Sequence, residues 1–186
     1  MLIRDMRREA ADALLTRAGV GHIACTEGQQ PYVTPFSFGY DGSHIYGFAT
    51  VGRKIAALRA NPLVCVAAQE VASFQEWKSV IVSGRYEELP DTEDFSGARA
   101  TAHWLLSRHA AWWQPGYVKT LHDGMERPME SVWFRIQVQD ISGHEAVPDA
   151  GVPAAESAGF NLGRGFGRLL AWGRRRPANG GRAAAS

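Results

Sequence analysis

Ile45-Tyr46-Gly47-Phe48-Ala49-Thr50-Val51-Gly52-Arg53-Lys54-Ile55-Ala56-Ala57-Leu58-Arg59 is the stretch whose reading decides the fold. Ile45 to Thr50 is an apolar run ending in small residues and reads as a strand. Ile55 to Ala60 reads as a short helix closed before Asn61-Pro62. Arg53 and Lys54 therefore stand at a helix start, where the positive end of the dipole disfavours them unless an anion neutralises the charge. Backbone donors, fixed cations and a dipole end together make a phosphate seat. On these residues alone a pair of solvated surface cations remains the alternative.

Working outward, Gly21 to Thr26 and Tyr32 to Tyr40 read as strands joined by the turn-rich Glu27-Gly28-Gln29-Gln30-Pro31. Asp41-Gly42 marks a hairpin into His44 to Thr50. Leu63 to Val71 reads as a buried strand, Ser79 to Glu88 continues the sheet, and Ser131 to Ile141 supplies a final half-buried strand. Helices are expected over Asp5 to Ala18, stopped by Gly19, and over Thr92 to Arg108, with Phe95, Ala98, Ala102, Leu105 and Leu106 as its apolar stripe. Six strands with few exposed edges point to a mainly β fold, an antiparallel barrel with flanking helices.

The order and spacing of Pro31-Tyr32-Val33-Thr34-Pro35-Phe36-Ser37-Phe38, Asp41-Gly42, Ile45-Tyr46, Gly52-Arg53-Lys54, Asn61-Pro62-Leu63-Val64-Cys65-Val66 and Trp77-Lys78-Ser79-Val80 to Glu87 resembles the FMN-binding split barrels related to pyridoxamine 5′-phosphate oxidase. The likeness is to the nitroimidazole-resistance-type branch and covers roughly residues 1 to 146. It implies a six-stranded antiparallel split β-barrel, a homodimer with FMN in a cleft between subunits, and an oxidoreductase acting on a small, aromatic or nitro-aromatic molecule. It also implies the site residues. Arg53 would hold the flavin phosphate by paired hydrogen bonds and Lys54 as a point charge. Thr34, Pro35, Phe36 and Ser37 would line the ring and ribityl chain, Pro35 with one backbone donor fewer. Gly47, Phe48, Ala49 and Thr50 would form the wall of the same cleft. Lys78 would stand near the N1–C2 carbonyl region, stabilising reduced flavin, with Ser79 beside it where the oxidases carry a longer amide. Thr34 replaces the phosphate-binding arginine of those oxidases, which argues against their vitamin substrate, and Gly47-Phe48 lacks the histidine of some relatives. Deazaflavin or haem are the alternative cofactors, and a non-catalytic flavin- or haem-binding or sensing protein is the alternative function.

Composition sets the remaining bounds. The chain has 186 residues, of which 45% are hydrophobic and 21% charged, and a net charge of +1, so one globular domain with a tail is expected. Domain 1–147 is followed by an Ala-, Gly- and Arg-rich stretch, 148–186, whose Arg164, Arg168, Arg174, Arg175, Arg176 and Arg182 leave the barrel mildly acidic and without a nucleic-acid footprint. No apolar run is long enough to span a bilayer and the charged start is no secretory signal, so a cytoplasmic location is expected. Cys25 and Cys65 sit in apolar runs and read as buried free thiols. His22, His44, His103, His109, His122 and His144 lack metal-ligand spacing, although His122-Asp123 reads either as an exposed acid or base or as a solvated surface pair. Trp104, Trp112, Trp113 and Trp133 read as core or subunit-interface anchors. No GxSxG elbow supports covalent hydrolysis, and no catalytic residue is assigned.

Overall fold

Apolar alternation becomes strand pairing throughout the computed structural model, which describes residues 1–109, 121–122, 125–126 and 130–149. In order these are β1 (Leu2–Asp5), α1 (Arg8–Ala18), β2 (Val20–Glu27), β3 (Gln30–Tyr40), β4 (His44–Thr50), α2 (Arg53–Ala60), β5 (Leu63–Ser73), β6 (Glu76–Glu88), a 3-10 turn (Glu93–Phe95), α3 (Ser96–Leu106), β7 (Leu121–His122), β8 (Met125–Glu126) and β9 (Ser131–Val147). The main sheet runs β1-β9-β4-β3-β2-β5-β6, and a further β6–β9 pairing closes it on itself. Six strands, β2 to β6 and β9, thus form the barrel, and β1 is added outside on β9 through Leu2↔Val147 to Asp5↔His144. β7 and β8 form a separate two-stranded ladder.

The alternation sets the inner face. Ile23 and Cys25 on β2, Phe36, Phe38 and Tyr40 on β3, Val64, Val66 and Ala68 on β5, Val80 and Val82 on β6, and Val132, Phe134 and Ile136 on β9 are buried together with Leu14 and Leu15 of α1 and Ile55 and Leu58 of α2. Phe38 and Phe134 are wholly enclosed, each worth about 1.5–3 kcal/mol relative to exposure. On the outside, α3 covers Tyr46 and Leu89 with Ala102 and Leu105. Gly47 is required by this packing, because a Cβ there would drive into the Phe134 ring. The Asp41-Gly42 turn forms as expected. Gly42 has φ of 100°, and the Asp41 carboxylate accepts from the backbone N–H of Ser43 and of His44 at 2.8 and 2.6 Å.

Several boundaries differ from the sequence reading. The first helix begins at Arg8 rather than Asp5, because Leu2–Asp5 is drawn into a ladder by β9. The final strand runs six residues past Ile141, since β6 on one side and then β1 on the other satisfy its backbone. Cys25 is buried as read, but Cys65 is exposed: Cys25 faces the core and Cys65 the outer surface of the neighbouring strand, so the two lie on opposite faces of the sheet. Trp112, Trp113, the side chain of His122 and the tail from residue 150 lie outside the described residues. Among the described residues no helix is long and apolar enough to cross a membrane.

Candidate functional site

The barrel parts between β3 and β4. These strands pair only through Phe38↔Gly47, Gly39↔Tyr46 and Tyr40↔Ile45. Beyond that point β3 stays on β2 as far as Gln30, while β4 follows β9 through Phe48, Ala49 and Thr50. The phase of the β3 backbone follows from one bond: Phe38 N–H donates to Gly19 O at 2.8 Å, toward the β2 side. By antiparallel alternation Tyr32, Thr34 and Phe36 also direct their backbone groups to β2, and Val33, Pro35 and Ser37 direct theirs to the open edge. Pro35 therefore removes its donor from the exposed side and offers a carbonyl alone. Side chains follow the same alternation, with Thr34 half-buried and Phe36 buried on the inner face, and Pro35 and Ser37 on the outer one.

α2 begins at this parting. Gly52, its N-cap, makes no side-chain cap bond, and the first turn contains no acidic residue. The space where a Gly52 side chain would lie is open. Arg53 and Lys54 diverge from here. Arg53 Nε donates to Glu27 Oε2 at 2.7 Å, with its guanidinium 4.7 Å from the Tyr32 ring centre. Lys54 turns inward, its ammonium 5.9 Å from the centre of the Phe36 ring, and no carboxylate lies within ion-pair distance of it among the described residues. Burial holds the Lys54 ammonium below the usual lysine range, and burial likewise raises the neighbouring Cys25 thiol, which stays protonated and unreactive.

The remaining expected contacts divide by location. Gly47 and Ala49 face the core and Phe48 faces outward against Trp133, with ring centres 4.7 Å apart. Thr50 is half-buried at the strand end. Lys78 and Ser79 lie on β6 in register with Glu70 and Gln69 of β5, three strands around the barrel from β3 and toward its other mouth. They also point to opposite faces: Lys78 shares the inner face with Val80 and approaches Glu145 at 3.9 Å, while Ser79 shares the outer face with Ile81. Within one chain the structure thus gathers Arg53, Lys54, Thr34, Phe36 and the open edge at Pro35 and Ser37, and leaves Lys78 and Ser79 apart from them. Glu27, Tyr32 and Glu145 escaped the sequence reading, since none carries a local motif.

The outer face of β3-β2-β5-β6 is apolar and uncovered, with Val33, Val20, Leu63 and Ile81 each about half exposed or more. A recess of about 510 Å³ lies on it, lined by Leu63, Cys65, Ser83 and Gln139 among others. Two more polar recesses, of about 370 Å³ beside Arg59, Arg99 and Trp133 and about 300 Å³ beside His44, Arg85 and Arg135, lie elsewhere. None of these three recesses is lined by Arg53 or Lys54. Among the described residues no three His, Cys, Asp or Glu side chains cluster as metal ligands.

A six-stranded antiparallel barrel parted between two strands, with a cationic helix start at the parting, is a split barrel. The sequence model of the pyridoxamine 5′-phosphate oxidase family matches residues 7–145, and the chain belongs to that family. An uncharacterised protein of Rhizobium meliloti is 33% identical over 146 residues, 78% of this chain and 97% of its own. An FAD-binding protein from Mesorhizobium loti is 39% identical, with a TM-score of 0.65 over 80% of this chain and 99% of its own. A candidate 5-nitroimidazole antibiotic resistance protein from Bacteroides thetaiotaomicron shares the fold at 18% identity and a TM-score of 0.56, covering 78% of this chain and 89% of its own.

Proposed function

We propose that this protein is a flavin-dependent oxidoreductase, a homodimer that binds FMN in the parting between β3 and β4 and acts on a small aromatic or nitro-aromatic molecule. The observation that carries the reading is the donor set at the parting. An uncapped helix start, a guanidinium beside it and, among the described residues, an inward lysine without a carboxylate and a strand edge without a partner form a set that an anionic, flat-ringed ligand would satisfy. Family membership and the FAD-binding relative support the choice of a flavin over another phosphorylated ligand.

When bound, the flavin accepts and returns a hydride or electrons, received from a nicotinamide or a reduced partner. The chain's own residues orient and charge the site. Arg53 and the first turn of α2 hold the phosphate. Lys54 offsets its charge from the inner side, and binding the anion returns the ammonium toward its ordinary basicity. Val33 and Ser37 offer both backbone groups, and Pro35 its carbonyl, to the polar rim of the ring and the ribityl chain. The apolar outer face of β3-β2-β5-β6 docks a second copy, which roofs the groove and brings Ser79 to it. A single phosphate seat favours FMN over FAD, whose pyrophosphate would require a second one.

The test is binding by the purified protein. Arg53→Ala/Lys54→Ala is expected to weaken FMN at least tenfold, through loss of charge-assisted hydrogen bonds, while riboflavin, which has no phosphate, binds as before. FMN affinity unchanged in the double variant overturns the assignment, and tighter binding of FAD than of FMN overturns the cofactor preference.

A further inference from the structure

Arg53 is held by two partners from one hairpin. Its Nε and Nη2 both reach a single oxygen, Oε2 of Glu27, at 2.7 and 2.6 Å, and the Tyr32 ring lies under the guanidinium at 4.7 Å. Glu27 closes β2 opposite Gln30, and Tyr32 stands two residues further along β3 opposite Cys25. A guanidinium offers paired N–H donors along two kinds of edge, the side edge bearing Nε and the end edge bearing Nη1 and Nη2. Here Glu27 takes the side edge and Tyr32 one face. The end edge is what remains.

We infer that Glu27 is a positioning residue for the flavin phosphate: it fixes the side edge of Arg53 so that the end edge is presented to the anion as a ready pair of donors. The inference rests on the phosphate reading above and adds to it a residue with no direct contact to the ligand. A carboxylate so near an anion site has two opposed effects, repulsion of the phosphate and orientation of its arginine. Orientation prevails here for two reasons. With the side chains of Arg53 and Glu27 54% and 45% exposed, water and salt screen the repulsion. An arginine released from Glu27 must instead give up the freedom of a long side chain each time it binds. Contact through a single carboxylate oxygen also leaves the remaining guanidinium hydrogens unspent.

The experiment measures FMN and riboflavin dissociation constants by flavin fluorescence for the intact chain, Glu27→Ala, Glu27→Gln, Arg53→Ala and Glu27→Ala/Arg53→Ala. Glu27→Ala is expected to weaken FMN roughly three- to five-fold, the effect of an exposed ion pair. Riboflavin should be unaffected, Glu27→Gln should stay near the unsubstituted protein because its amide oxygen still accepts, and the loss should vanish in the Arg53→Ala background. Tighter FMN binding by Glu27→Ala would make Glu27 a competitor of the phosphate, and an equal loss for riboflavin would make it a merely structural hairpin residue; either overturns the inference. If Arg53→Ala weakens FMN but Glu27→Ala does not, the positioning role alone falls. If Arg53→Ala has no effect, the phosphate reading falls and takes this inference with it.

Discussion

The two seams of the barrel are built on opposite terms. Between β6 and β9 the ladder runs from Trp77↔Ala146 to Glu88↔Phe134 with one irregularity, so nearly every backbone group finds a partner within the chain. Between β3 and β4 the ladder stops after Tyr40↔Ile45, Gly39↔Tyr46 and Phe38↔Gly47; beyond it β3 keeps one edge without a strand partner, α2 starts without a side-chain cap, and Lys54 turns inward onto the Phe36 ring. The closed seam holds the fold. The open seam concentrates unmet polar groups, which are costly to leave dry and therefore hospitable to a polar ligand.

Breaking the closed seam should have the largest effect. Phe134 is wholly buried, contacts Phe36 at 6.3 Å and Tyr86 at 5.3 Å between ring centres, and lies against Gly47. Phe134→Ala is expected to lower unfolding free energy by about 3–5 kcal/mol in chemical denaturation. A loss under about 1 kcal/mol would mean that the core refills the cavity and the seam is held by backbone pairing alone.

Next comes the outer face proposed to dock a second copy over the open seam. Ile81→Lys places a charge on the exposed outer sheet, and sedimentation is expected to show a dimer burying roughly 1,600 Å² for the unsubstituted chain and a monomer for the variant. If the groove is completed by a second copy, flavin affinity falls with the dimer. A monomer that keeps its flavin would confine the site to one chain.

Lys54 sharpens the comparison through pH. Because burial lowers its native pKa below the unfolded value, the unfolded chain binds more protons between those two values, and the stability of the flavin-free protein should rise with pH across that window. Below the native pKa the full cost of the buried cation is present. Lys54→Met should therefore stabilise the flavin-free protein at neutral pH and abolish the alkaline rise, while weakening FMN. A parallel pH profile in the two proteins would show that Lys54 is solvated.

The smallest expected effect concerns the tail. Ending the chain after Val147 should leave the melting temperature, dimerisation and flavin affinity essentially unchanged in calorimetry and binding assays, since the barrel closes within β9. A marked fall would give residues 148–186 a structural role.

Apolar runs bounded by turn signals were enough to place β2, β4, β5 and β6 within a few residues, because each carries its core-facing side chains in one unbroken local segment. β1 was not legible: Leu2-Ile3-Arg4-Asp5 is exposed throughout, and what makes it a strand is a partner at the far end of the described chain. Cys65 misled because the run Leu63 to Val66 is apolar on both faces, yet only Val64 and Val66 turn inward. In the site, Arg53 and Lys54 were legible as cations at a helix start, but not that one would meet Glu27 and the other Phe36. Lys78 and Ser79 were legible as strand residues. Their separation from Arg53 depends on how many strands intervene around the barrel, a property of topology that no local motif carries.

The 17-residue β9 has a mechanical consequence. Its last residues hold β1 on one side and the start of β6 on the other, and only its first seven touch β4. A load applied at Val147 would therefore peel rungs one at a time, freeing β1 and the Trp77 end of β6 before any tension reached Phe134. Under a load that lifts the strand away from its neighbours, the parting beside Arg53 would be the last part to feel the strain.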